Sequence, residues 1–240
     1  MNSTENIDGG PVWYRNTPPN LLGESPIYRA CDSTLHWIDC YSTPCAVHIL
    51  TVDPSTGEAI GRARILEVPF GRITAIYFRK GTPGSYICGY QQGIALLDEK
   101  TGGVVVLKEL IKKEDSEAWA MNDGGVDPQG RFWIGEVDMK ALFAKMGGKS
   151  LPEGQEGNLW VAMFMLNCVM VYTPEGSLLK TIRFPAKLIT CPTWGGRGND
   201  ILFITSAQPL PEDAAPGDEG GHVFRYKTEL KGMAKHEFAG

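Results

Sequence analysis

A chain of 240 residues with 42% hydrophobic and 21% charged residues has enough apolar surface for one sizeable core and the composition of an ordinary globular protein, which excludes disordered and membrane-embedded classes. Its formal net charge of -5 offers no basic face for phosphate, so nucleic acid is not an expected partner. No apolar run reaches the ~18 to 20 residues of a spanning helix, and the opening residues 1–13 have neither the basic nor the apolar region of a leader, so the expectation is a cytoplasmic protein with no membrane partner.

Along the chain, short segments rich in β-branched and aromatic residues follow one another, each bounded by Gly, Pro, Asp or Asn, as strands joined by tight turns are. They cover residues 35–39, 46–52, 85–90, 131–135, 158–162, 168–172 and 200–205. One helix candidate interrupts them at 106–120, where Leu107, Leu110 and Ile111 fall at helical spacing. Residues 139–157 break the pattern and predict an irregular linker, or a short helix followed by a loop.

The turns repeat one chemistry. Asp53, Asp98, Asp127 and Thr173 each follow an apolar strand end, and each precedes a Gly (Gly57, Gly102, Gly130, Gly176) placed to take the positive φ a tight turn needs. Counted between these openers the separations are 45, 29 and 46 residues, two of which match the ~40 to 50 residues of a four-stranded propeller blade. A sheet that cannot bury its own faces must stack on neighbours, so the expected fold is all-β, a β-propeller with a β-sandwich as the alternative. At that repeat length the chain supplies about five blades within a single domain, 1–240.

Cys31, Cys40, Cys45, Cys88, Cys168 and Cys191 contain no C-x-x-C pair, and the nearest histidines, His36 and His48, lie off zinc-ligand spacing, so free thiols acting as small hydrophobes are expected. Trp37, Trp133 and Trp160 are expected to pack between blades. Glu136 and Asp138, at a strand end, read as solvated acids, with the channel mouth as their other possible place. The absence of G-x-S-x-G, H-E-x-x-H, a P-loop and G-x-G-x-x-G removes serine-hydrolase, zinc-protease and nucleotide chemistries.

Three stretches carry a family resemblance. Gly23-Glu24-Ser25-Pro26 with Leu35-His36-Trp37-Ile38-Asp39 resembles a "GE-x-P" and "L-x-W-x-D" opening. The unbroken run from Asn122-Asp123-Gly124 through Val126-Asp127-Pro128 to Gly130-Arg131-Phe132-Trp133 is similar to an "NDG-x-VDP-x-GRFW" signature. Glu156-Gly157-Asn158-Leu159-Trp160-Val161-Ala162, Thr190-Cys191-Pro192 and the last residues, 221–240, resemble its later and closing strands. These are marks of the SMP-30/gluconolactonase/luciferin-regenerating-enzyme family.

The resemblance implies a six-bladed propeller, here shortened, with a divalent cation in its channel and a lactone or related ester as the small-molecule substrate. By matched position it implies Glu24 as a metal ligand and Asn122 as a substrate contact, while Ala120 stands where the family has an Arg. The "SNG" and "PDG" segments that would supply further ligands and the base are missing between Gly135 and Gly157, which leaves the catalytic residues unassigned. Glu153, in Pro152-Glu153-Gly154, is the one stand-in. The cation (Ca²⁺, or Zn²⁺, Mg²⁺ or Mn²⁺) is therefore expected to bind weakly, since such hard ions want six or more oxygen donors. The function expected is a metal-dependent lactone hydrolase of reduced activity. Its alternatives are a non-catalytic binding propeller and an internally deleted form of a full-length lactonase.

Overall fold

The computed structural model describes residues 4–138, 154 and 157–240. The chain opens with two short strands, β1 (Glu5–Asp8) and β2 (Val12–Tyr14), whose partners lie far away in sequence. Next, β3 (Gly23–Arg29), β4 (Thr34–Asp39), β5 (Cys45–Val52) and β6 (Ala59–Val68) form an antiparallel sheet in that order. A second sheet holds β7 (Ile73–Phe78), β8 (Ser85–Tyr90), β9 (Gly93–Asp98) and β10 (Val104–Glu109). β11 (Trp119–Val126) and β12 (Phe132–Asp138) make a two-stranded sheet.

The fourth sheet contains β13 (Leu159–Met163), β14 (Cys168–Tyr172) and β15 (Leu178–Arg183), with β1 added parallel to β15. The fifth contains β16 (Leu188–Gly195), β17 (Ile201–Ala207) and β18 (Val223–Lys227), with β2 added antiparallel to β18. The first strand of each sheet faces its neighbours, β13 on β16, β16 on β3, β3 on β7 and β7 on β11, so the sheets stand around a common axis as propeller blades. Among the described residues there are four four-stranded blades and one two-stranded one, which is the shortened propeller the sequence leads one to expect.

Burial follows from this stacking. A strand in the middle of a blade is covered on both faces, so it has no polar alternation. In β4 every residue is buried, including His36 and Asp39. At the rim β10 is exposed from its second residue onward. This corrects the helix expected at 106–120: the β-branched run Val104-Val105-Val106 forms the rim strand, Leu110 is exposed, and only a 3-10 turn at Lys113–Asp115 precedes β11. Trp37 and Trp160 are fully buried between blades as expected. Trp133 is not: it is 57% exposed, its Nε1 donates to Asp127, and the Arg131 guanidinium lies over its ring.

The four turns have the predicted chemistry. Asp53 Oδ1 accepts from the N–H groups of Ser55 and Thr56, Asp98 Oδ1 from Lys100 and Thr101, and Asp127 Oδ1 from Gln129 and Arg131. Thr173 Oγ1 accepts from Glu175 and Ser177. The paired glycines all have positive φ. The spacing argument holds for one pair only. Asp53 and Asp98 both open the hairpin between the third and fourth strands of a blade, whereas Asp127 joins a first strand to a second and Thr173 a second to a third. The last separation of 46 residues therefore coincides with a blade length without marking one.

Buried polar groups tie the first blade together. Trp37 Nε1 donates to Asn20 Oδ1 at 2.9 Å, His48 stacks on Trp37 with ring centroids 5.0 Å apart, and Asn20 Nδ2 lies 3.1 Å from His48 Nε2. His36 sits between Thr34 Oγ1 at 2.7 Å and Tyr86 Oη at 2.9 Å, joining the first blade to the second. Burial pushes the His48 pKa down to about 4 and that of His36 to about 3. All six cysteines are free, five buried and Cys31 exposed.

Two predictions follow from these details. Below about pH 6.5 the unfolded chain takes up protons on His36 and His48 that the folded chain refuses, so stability present above that pH is lost as pH falls toward 4. Urea midpoints at pH 7 and pH 5 should show a drop, made smaller in His48→Gln by on the order of 1 kcal/mol. Separately, Gly102 and Gly176 share a positive φ, but a Cβ on Gly102 would drive into the backbone oxygen of Glu67 while one on Gly176 meets open space. Gly176→Ala should cost about 1 kcal/mol in urea unfolding and Gly102→Ala clearly more.

Candidate functional site

Four of the five inner strands break register at one level of the ring. The irregularities fall between Glu24 and Ile27, Ile73 and Ala75, Met121 and Gly124, and Ile189 and Pro192. A bulge turns side chains out of the regular alternation, here toward the axis. The bulged segments hold Glu24 and Ser25, Thr74, Asn122 and Asp123, and Thr190 and Cys191, and of these Glu24, Thr74 and Asn122 line one cavity. Ser25, with a φ of 49°, locks this arrangement: its Oγ accepts from Ile76 N at 2.9 Å and donates to Ile76 O at 3.2 Å.

Glu24 is 9% exposed, and its Oε2 accepts the Cys191 thiol at 2.7 Å. Burial pushes the Cys191 thiol far above its ordinary pKa, and the neighbouring carboxylates of Glu24 and Asp123 push the same way, so this cysteine is a protonated donor. The structure brings Glu24 and Asn122 to the wall of one cavity of about 40 Å³, where Arg72, Thr74 and Ala120 also lie. Arg72 Nε and Thr74 Oγ1 are buried without a hydrogen-bond partner among the described residues. Toward the mouth, Cys40, Tyr41 and Arg72 are shared with a wider depression of about 530 Å³.

Arg72 is the residue the sequence analysis missed. It stands in a loop before β7 with no motif around it, yet its guanidinium reaches the same cavity wall as the methyl of Ala120 and lies 5.4 Å over the Tyr41 ring. Lys235 is equally unmarked, lying in the stretch 221–240 expected to hold closing strands, of which β18 is one. Beyond β18 that stretch has no named strand, and it runs across the ends of the inner strands instead. Lys235 Nζ donates to Pro26 O at 2.9 Å and lies 5.5 Å over the Tyr77 ring, whose hydroxyl donates to Gly124 O.

Among the described residues the donor set does not fit a hard divalent cation. Glu24 is the single carboxylate on the small cavity, one of its oxygens already accepts the Cys191 thiol, and the Asn122 amide and the Thr74 and Tyr41 hydroxyls are the other side-chain oxygens there. Among the described residues no three His, Cys, Asp or Glu side chains converge as a metal site. Glu136 is exposed and Asp138 half-buried. Glu153 lies outside the described residues.

Residues 22–154 and 150–208 match the model of the SMP-30/gluconolactonase/LRE-like region. The match divides inside the stretch where the sequence has no "SNG" or "PDG". A 6-deoxy-6-sulfogluconolactonase of Pseudomonas putida is 23% identical over 293 residues, covering 92% of this chain and 96% of its own. Regucalcin of Danio rerio is 24% identical over 302 residues with the same coverage. Both alignments are longer than this chain, so they contain stretches of the relative with no counterpart here.

Among solved structures, a calcium-binding regucalcin of Agrobacterium tumefaciens superposes with a TM-score of 0.80 at 19% identity over 98% of this chain and 99% of that one. A luciferin-regenerating enzyme superposes at 0.76 and 19% identity, over 96% and 100%. These neighbours have the same propeller fold. By its matched residues, the chain belongs to the SMP-30/gluconolactonase/LRE-like family.

Proposed function

We propose that this protein is a slow hydrolase of a small sugar lactone, working through Glu24 and without a bound divalent cation. The observation that carries the reading is the shared wall: Glu24 and Asn122 line a small cavity with room for water, and Arg72 belongs both to it and to a depression large enough for a sugar ring. The lactonase named among the relatives supports the substrate class.

In this reading the lactone rests in the depression with its carbonyl toward Arg72 and Asn122. Water in the small cavity gives a proton to the Glu24 carboxylate as its oxygen bonds to the carbonyl carbon. Negative charge gathers on the former carbonyl oxygen, where the Arg72 guanidinium and the Asn122 amide can donate to it. The ring carbon–oxygen bond then breaks, Glu24 returns the proton to the departing oxygen, and a hydroxy acid leaves. Turnover is slow because Ala120 offers no donor, and because a mouth open to water weakens the field of a single guanidinium.

The test is aldonolactone opening, followed by acid release with and without Ca²⁺, Mg²⁺, Mn²⁺ or Zn²⁺. We expect slow turnover that added metal leaves unchanged, reduced ~100-fold or more in Glu24→Gln and ~10-fold in kcat/KM in Arg72→Gln. Turnover indifferent to Glu24→Gln, or appearing only with metal, overturns the proposal. Calorimetric binding of lactone with no turnover would favour a binding propeller instead.

A further inference from the structure

We infer that the ammonium of Lys235 is, with Arg72, a fixed positive charge of the central channel, a tethered cation that faces Glu24 and Asp123 in place of a metal ion. The segment carrying it is anchored on both sides of the ring. On one side Gly232 N donates to Asn199 O at 2.7 Å, and Gly232 lies so close on the Trp194 ring that a Cβ has no room. On the other side Phe238 pairs in a parallel bridge with Arg79, Phe238 N donates to Phe78 O at 2.9 Å, and Ala239 N donates to Gly130 O at 2.9 Å. Between these anchors the chain crosses from the fifth blade to the second and third, over the ends of the inner strands.

Lys235 lies midway along this crossing and turns inward. Its Nζ is fixed by Pro26 O, two residues beyond Glu24 on β3, and by the face of Tyr77, whose hydroxyl reaches the carbonyl next to Asp123. The ammonium thus sits between β3, which carries Glu24, and the Tyr77 ring of β7, whose hydroxyl bonds β11, the strand that carries Asp123. Burial lowers the Lys235 pKa, and the Asp123 and Glu24 carboxylates pull it back up. A carboxylate as buried as Glu24 is favoured by a nearby compensating charge. The donor set does not suit a divalent ion, and a lysine whose backbone is already clamped supplies that charge with little further ordering.

The test measures charge coupling and metal binding, so it stands or falls separately from lactone turnover. In urea unfolding, Lys235→Met should lower the midpoint of the otherwise unaltered protein and lower it by less than half as much in a Glu24→Gln, Asp123→Asn background. An equal drop in both backgrounds overturns the inference and leaves Lys235 a clamp for the tail. In Mn²⁺ titration, Lys235→Met should bind at least ~10-fold more tightly than the unaltered protein, and Glu24→Gln should remove the gain. Unchanged affinity overturns it. Should Lys235→Met not fold, the unaltered protein still decides, because micromolar Mn²⁺ binding with Lys235 in place is incompatible with a channel whose cation is the ammonium.

Discussion

The ring depends on a pairing between the two ends of the chain. β2 lays Tyr14 beside Val223 and Val12 beside Phe224, while β1 runs beside β15 with Ile7 against Ile182. Tyr14 extends the join into the first blade, its hydroxyl accepting from Ala63 N at 2.8 Å and its ring 5.9 Å from Trp37. Asn16 carries it further, donating to Gly221 O and to Asn20, which already holds Trp37. Buried groups of this kind stabilise more than the exposed ion pair of Arg15 with Glu219 nearby, because exposed pairs are screened and pay for ordering two long side chains. Without the closure, β3 and β16 would not face one another and the channel would have no wall on that side.

Given the ring, the chemistry lies where the inner strands are irregular. A regular strand sends alternate side chains into the two flanking blades and shows the axis only its backbone. The bulges in β3, β7, β11 and β16 break that rule at one height, so polar side chains reach a space otherwise lined with peptide groups. Thr190 illustrates how such a kink is held: its hydroxyl donates to Gly23 O across the blade boundary, next to Glu24.

Much of the fold was legible because it is written locally. An Asp or Thr followed by a Gly at fixed offset dictates its own hairpin, and β-branched runs dictate strands, so seven segments and four turns could be read without knowing their neighbours. What was illegible depends on partners distant in sequence. Residues 5–14 are too short and polar to announce two strands and become strands only against β15 and β18. Leu107 and Leu110 mimic a helical face because rim strands need no burial pattern. In the site, Glu24 and Asn122 stood out through motifs, but Arg72 and Lys235 reach the channel from a loop and a tail, and nothing in spacing or composition points to either.

The same closure has a consequence for the life of the chain before it is folded. β1 and β2 are synthesised well before their partners, which end at residues 183 and 227, so their pairing waits for the blades in between. Contacts of such separation are slow to form, and the edges of β15 and β18 stay open meanwhile to any other extended chain. The tail that brings Lys235 arrives later still. A chain stalled before β18 therefore has most of its blades while remaining unsealed, with adhesive strand edges and two channel carboxylates lacking the Lys235 counter-charge, the kind of species that chaperones retain and proteases remove.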